Sequence, residues 1–169
     1  YLREQPEARE QRAFTIVNTI ERSSAFNSLL DHRGAFGIIL DLMGPYIQVM
    51  GTQVYVRHPN TNPLMSWHTH AGPSLQRIRI EPDSPPLNLK IQYFLTDIPE
   101  PDRANFCLVP GSHRAPYPED GFPEGHQPPG AIQICAEVGD AVLFPHSLWH
   151  AVAPHHGKDV RRSVTFRYG

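Results

Sequence analysis

Two histidines flank a threonine in the stretch SWHTHAGP, Ser66 to Pro73, and a third, His150, stands far downstream in LFPHSLWHAVAP. On an extended segment His68 and His70 point to the same side, because side chains alternate with a period of two. A β-barrel typically builds a facial metal site from such a close pair and one ligand on a distant strand. Neutral imidazoles suit iron, zinc, copper or nickel, and a face of two histidines and a carboxylate with open positions suits non-haem iron that activates dioxygen. His70 stands where that face would carry its carboxylate. Arg161, Arg162 and Ser163 follow His150 by eleven, twelve and thirteen residues. An arginine on the next strand, pointing into the barrel beside a metal, is a bidentate anchor for a carboxylate. A dicarboxylate would chelate the metal at one end and meet this arginine at the other.

The elements that must position these groups are short. Eighteen prolines in 169 residues cut the chain into brief segments, which suits a β architecture better than a helical bundle. Charged residues from Glu4 to Arg12, then apolar residues near three- and four-residue spacing at Phe14, Val17, Ile20, Phe26, Leu29 and Leu30, predict two or three helices over Glu4 to about Met43. The breaker pair Gly44-Pro45 ends this helical region, residues 1–45. From Tyr46 onward strand-like runs alternate with turns: YIQVMGTQVYVRHP, LQRIRIEP, LNLKIQYFLTDIP, FCLVPGSH, AIQICAEVGDAVLFP, HAVAP and RRSVTFRYG. Leu89, Ile91 and Tyr93 alternate with Lys90, Gln92 and Phe94 as in a half-buried strand. Many such runs in series predict an antiparallel barrel or sandwich over 46–169, with the helical region packed outside it as part of one domain. Pro110 to Gly130, rich in Pro and Gly, is either a lid or a surface excursion.

Charge and composition remove several classes of function. Fifteen Lys and Arg against seventeen Asp and Glu give a net charge of -2, so no basic field recruits nucleic acid or an anionic membrane. No apolar run approaches the roughly 20 residues of a membrane span. Two cysteines, Cys107 and Cys135, are too few for a disulfide framework and fit the cytoplasm. Tyr1 in first place fits a piece of a slightly longer chain. Glycine-rich phosphate loops, a Ser-His-Asp order and CxxC pairs are all missing from the sequence, which leaves nucleotide, acyl-enzyme and zinc-finger readings without support.

Between Gln53 and Tyr168 the sequence resembles the phytanoyl-CoA dioxygenase family of iron(II)- and 2-oxoglutarate-dependent oxygenases. Four motifs in order carry the resemblance: WHTH at Trp67 to His70, LKIQYFLTDIPEP at Leu89 to Pro101, NFCLVPGSHR at Asn105 to Arg114, and GDAVLF, LWH and RRS between Gly139 and Ser163. The resemblance implies a double-stranded β-helix, that is, a cupin-like jelly-roll barrel with helices packed against it. It further implies iron(II) held by His68 and His150, with His70 in the place of the family's aspartate as the third ligand. Arg161 matches the arginine that holds the far carboxylate of 2-oxoglutarate, and Ser163 the hydroxyl two residues beyond it. The implied reaction is dioxygen-dependent oxidation of a C–H bond in a small organic substrate, with succinate formed from the co-substrate.

Further contacts are expected from a strand wall and from residues beside the ligands. Gln53, Tyr55 and Arg57 alternate on one strand and are candidate co-substrate or substrate contacts. Trp67, Asn105 and Trp149 are candidates for substrate contact, although packing is the more ordinary use of each tryptophan. Two alternatives share the fold: a protein in which His70 has disabled turnover and left a metal- or ligand-binding pocket, and a three-histidine oxygenase that does not use 2-oxoglutarate.

Overall fold

A computed structural model describes residues 13–59, 66–70 and 84–169. In chain order these form β1 (Ala13–Val17), α1 (Thr19–Arg22), a 3-10 helix (Ser24–Leu29), α2 (Arg33–Met43), β2 (Val49–Arg57), β3 (Leu89–Phe94) and β4 (Phe106–Leu108). A second 3-10 helix (Ser112–Arg114) then leads to β5 (Ile132–Ile134), β6 (Ala141–Pro145), β7 (His150–Val152) and β8 (Arg161–Tyr168). Five strands make a larger sheet in the order β1-β2-β8-β3-β6, and three make a smaller one in the order β5-β4-β7. Every pairing is antiparallel. The two sheets form the expected jelly roll.

The start of the chain departs from the helical expectation. Ala13–Val17 is a strand, paired residue for residue with Val17↔Gln53 through Ala13↔Arg57. Its sequence AFTIV is mostly β-branched or aromatic, which favours a pleated surface over a helix, and the spacing of Phe14 and Val17 fits both. Among the described residues the first helix begins at Thr19. The expected helix over Glu4 to Arg12 and the strand LQRIRIEP lie outside the described residues.

Alternation on three strands gives the larger sheet an apolar outer face and a largely polar inner one. Val54 and Val56, Leu89, Ile91 and Tyr93, and Val164, Phe166 and Tyr168 share the outer face of the larger sheet. There they bury Ile39 of α2, with Leu29, Leu30 and Phe36 packed alongside. Each such buried side chain contributes about 1.5–3 kcal/mol. Two tyrosines fasten the helical layer to the sheet, Tyr168 Oη donating to Leu30 O at 2.6 Å and Tyr93 Oη to Leu29 O at 3.3 Å. Gly44 closes α2 at a φ of 80°, a conformation that glycine adopts without a Cβ clash.

All six residues of β3 are buried, so the half-buried expectation fails on its polar side. Lys90 and Gln92 do not face water; they face the space between the sheets. The same inner face receives Gln53, Tyr55 and Arg57 from β2, and Arg161, Ser163, Thr165 and Arg167 from β8. Phe94, Ile98, Phe106, Phe144 and Leu148 form an apolar floor there.

Pro110 to Gly130 packs against the other side of the smaller sheet. Trp67, Cys107, Ala151 and Ala153 are buried there with Phe122, Val109 and Trp149. Tyr117 Oη donates to Trp67 O at 2.5 Å, and the Tyr117 and Phe122 rings meet Trp149 at centroid distances of 6.0 and 5.4 Å. This segment is a cover for the back of the sheet, not a lid over the inner face.

Candidate metal and co-substrate site

The HTH segment is held at the edge of the smaller sheet. His68 and His150 form an antiparallel bridge, each backbone N–H donating to the other's carbonyl at 3.0 Å. His70 N–H then donates to His146 O at 2.9 Å. One residue separates the histidines, so both rings emerge on the inner face while Trp67 turns to the back. The distant residue His150 thereby joins the local pair.

Ligating atoms of His68, His70 and His150 lie within 4.8 Å of one another. Backbone carbonyls orient two of these rings: His68 Nδ1 contacts Ser66 O at 3.0 Å and His150 Nδ1 contacts Leu148 O at 2.8 Å. A carbonyl only accepts, so both Nδ1 atoms carry the hydrogen and each neutral ring keeps a lone pair on Nε2. Such outer contacts commonly fix the tautomer of a metal-binding histidine. His70 Nε2 lies 2.8 Å from Lys90 Nζ and 2.8 Å from His150 Nε2. An ammonium only donates, which makes His70 Nε2 an acceptor too. His70 Nε2 thus offers one lone pair, contacted by Lys90, with the lone pair of His150 Nε2 close beside it, and a metal ion held by both rings would displace the Lys90 contact.

Burial holds all three rings neutral. It pushes His70 down to about 2, with His150 and Lys90 adding repulsion, and His150 down to about 3, with His68 adding to the effect. His68 is lowered by burial as well, and Lys90 falls to about 8 through burial and the neighbouring Arg167. Neutral imidazoles are the form that ligates a metal. The donor set therefore fits a divalent transition ion of the kind that prefers nitrogen.

Beside this triad runs a cavity of about 100 Å³ lined by His68, His70, His150, Tyr55, Arg57, Arg161, Gln92, Phe106, Phe144 and other residues of the inner face. Arg161 is 4 % exposed, donates to Ser163 Oγ at 2.6 Å and lies over the Phe94 ring with its guanidinium carbon 5.7 Å from the centroid. Its Nε is buried without an acceptor, as are Arg57 Nε and Gln92 Nε2. Burial, then repulsion from Arg57, lowers Arg161 to about 9. Unpartnered buried donors of this kind call for an acceptor, and a carboxylate fits a guanidinium fork.

The remaining expected residues divide between this cavity and other tasks. Tyr55 lines it and donates from Oη to Gln53 Oε1 at 2.5 Å, while Gln53 itself lines an adjoining cavity of about 320 Å³. Trp67 and Trp149 belong to the back cluster and are not brought to the inner face. Asn105 is fully buried in a turn, where Oδ1 accepts from Arg103 N–H at 2.8 Å and Nδ2 donates to Ile134 O at 3.0 Å. His146 is buried outside the triad. Sequence reasoning missed Lys90, Gln92, Thr165 and Arg167. A lysine inside an otherwise apolar strand was the available signal for Lys90.

Three imidazoles on the inner face of a double-stranded β-helix, with a buried arginine beside them, form a candidate site for a divalent metal and a carboxylate. Solved structures with the same fold include HygX from Streptomyces hygroscopicus with iron bound, 20% identical over 99% of this chain and 75% of that one, with a TM-score of 0.75. HygX with nickel, 2-oxoglutarate and hygromycin B bound is 19% identical over 94% of this chain and 70% of that one, at a TM-score of 0.71. The α-ketoglutarate-dependent carbocyclase SnoK from nogalamycin biosynthesis is 20% identical over 93% and 63% of the respective chains, at a TM-score of 0.70. Among curated proteins none matches in sequence. The family model described as phytanoyl-CoA dioxygenase matches residues 7–163, and the chain belongs to that family. It is accordingly an enzyme of the iron- and 2-oxoglutarate-dependent oxygenase type.

Proposed function

We propose that this enzyme oxidises a C–H bond of a small organic molecule, with hydroxylation as the simplest outcome. His68, His70 and His150 hold iron(II), and Arg161 with Ser163 holds the far carboxylate of 2-oxoglutarate. The observation that carries this reading is the convergence of three imidazole nitrogens, from His68, His70 and His150, within 4.8 Å of one another. It supports His70 as a ligand in the carboxylate's place.

When bound, iron(II) would activate dioxygen as the oxidant, and 2-oxoglutarate would supply two of the four electrons that reduce it, leaving as succinate and carbon dioxide while the substrate C–H bond supplies the other two. The protein supplies orientation and a dry site. Ser66 O and Leu148 O fix the imidazole tautomers, Ser163 Oγ steers the Arg161 fork, and Phe106, Phe144 and Val152 exclude water from one wall. Gln53, Tyr55 and Arg57 extend the polar wall opposite. A small-molecule substrate accords with the hygromycin B in the HygX complex, and the name of SnoK accords with outcomes other than hydroxylation on this fold. The free thiols Cys107 and Cys135 accord with a cytoplasmic setting.

The test is anaerobic loading with ferrous iron, then addition of dioxygen and 2-oxoglutarate, with succinate as the readout. Succinate above an iron-free control is expected. Its absence from iron-loaded protein, with and without trial substrates, favours a binding protein on the same fold. Substrate oxidation without succinate favours a three-histidine oxygenase that bypasses 2-oxoglutarate.

A further inference from the structure

Strand β8 carries an arginine at each end of its inner face, and each faces another cation. Arg161 lies directly opposite Arg57 of β2, and Arg167 lies directly opposite Lys90 of β3. Like charges in directly opposed positions work against strand pairing. Burial sharpens the conflict, since Lys90 is only 5 % exposed. The Nε atoms of Arg57, Arg161 and Arg167 are all buried without an acceptor. Among the described residues that line the two inner cavities, none is Asp or Glu. Among the described residues, two cation pairs therefore share one interior with no protein anion to serve either.

One 2-oxoglutarate cannot serve both. The far carboxylate occupies Arg161, and the Cα of Arg167 lies six residues further along the strand, roughly 20 Å at about 3.3 Å per residue. The cavity at the Arg167 end is also the larger, about 320 Å³, and it is lined by Arg167, Lys90, Gln53, Thr52 and Asn18, among others. His70, Lys90, Tyr55 and Thr165 line both cavities. A molecule seated against Arg167 thus reaches the triad from the side away from Arg161.

We infer that the substrate is an organic anion, its carboxylate or phosphate seated between Lys90 and Arg167 and its carbon skeleton directed at His70. This rests on the iron and 2-oxoglutarate reading above for the identity of the first anion. The second cation pair then selects the substrate by charge, because a neutral analogue leaves the buried Lys90 and the half-buried Arg167 without an anion.

The experiment uses protein loaded with nickel(II), which does not turn over, and saturated with 2-oxoglutarate. Inorganic phosphate and acetate are titrated by calorimetry, with acetamide as the neutral control. At least one anion is expected to bind saturably on top of 2-oxoglutarate, and acetamide is not; preference between phosphate and acetate separates the two anion classes. Arg167→Gln weakens that binding at least tenfold while 2-oxoglutarate affinity stays within twofold, and Arg167→Lys restores part of it, which separates charge loss from misfolding. Displacement of 2-oxoglutarate by the anion, equal binding to Arg167→Gln, or no anion binding would each overturn the proposal. If 2-oxoglutarate itself fails to bind but phosphate or acetate binding still depends on Arg167, the co-substrate assignment falls and the anion site stands.

Discussion

Replacing Arg161 by methionine should stabilise the ligand-free protein and cripple co-substrate binding at once. The guanidinium is almost wholly buried, faces Arg57 across the sheet, and donates to Ser163 Oγ. Burial and that repulsion lower it to about 9. Holding it protonated near pH 7 then costs the fold up to about 5 kcal/mol, at 1.36 kcal/mol per tenfold change in acidity. The hydrogen bond and the Phe94 contact return about 1 kcal/mol each. Exchange of a buried charge for an apolar side chain of similar length is commonly neutral or stabilising by 1–4 kcal/mol. We expect a gain of about 1–3 kcal/mol in denaturant unfolding of the ligand-free protein. Loss of a charge-assisted bidentate contact costs the complex about 3 kcal/mol, so 2-oxoglutarate affinity should fall by about a hundredfold, measured by calorimetry on nickel-loaded protein. The two effects have opposite signs, and a merely structural arginine cannot produce both. Destabilisation of Arg161→Met with unchanged 2-oxoglutarate affinity would refute the reasoning.

His70→Ala should weaken nickel(II) or iron(II) binding at least about tenfold, whereas His70→Asp should keep it and keep or raise succinate formation; equal metal affinity in all three proteins removes His70 from the ligand set. Metal-free protein in chelator should lose stability as pH falls below about 6.5. There the unfolded imidazoles take protons that His70 and His150 refuse until about 2 and 3, so stability drops by up to about 1.4 kcal/mol per pH unit for each of the two, and a flat profile of urea midpoints from pH 6.5 to 4.5 contradicts this. Tyr117→Phe should lower stability by about 1 kcal/mol through the lost bond to Trp67 O and leave 2-oxoglutarate affinity untouched; altered affinity would mean that Pro110 to Gly130 reaches the inner face. At pH 8 iodoacetamide should label exposed Cys135 and spare Cys107, whose thiol burial pushes up to about 12; mass spectrometry that finds both labelled in native protein counts against this packing.

The motifs with strict periods were legible because a period fixes a face. His68 and His70 share a side in any extended segment, and the distal His150 with Arg161 and Ser163 followed from the order of motifs. The jelly roll itself followed from short strands separated by Pro and Gly. The first strand was not legible, since AFTIV suits a helix spacing as well as a strand, and only the free edge of β2 decided between them.

Sequence alone thus determined which side chains lie on one face of an extended segment. The tertiary structure decided which face looks inward. Lys90 and Gln92 are polar at positions that read as solvent-facing, and the second sheet turned that side into the site. Trp67 and Trp149 adjoin His68 and His150 in the chain, yet the bridge between those histidines sends them to the back of the smaller sheet. Alternation is a local property of the backbone, but burial depends on what packs against it, and the partner strands come from residues tens of positions away.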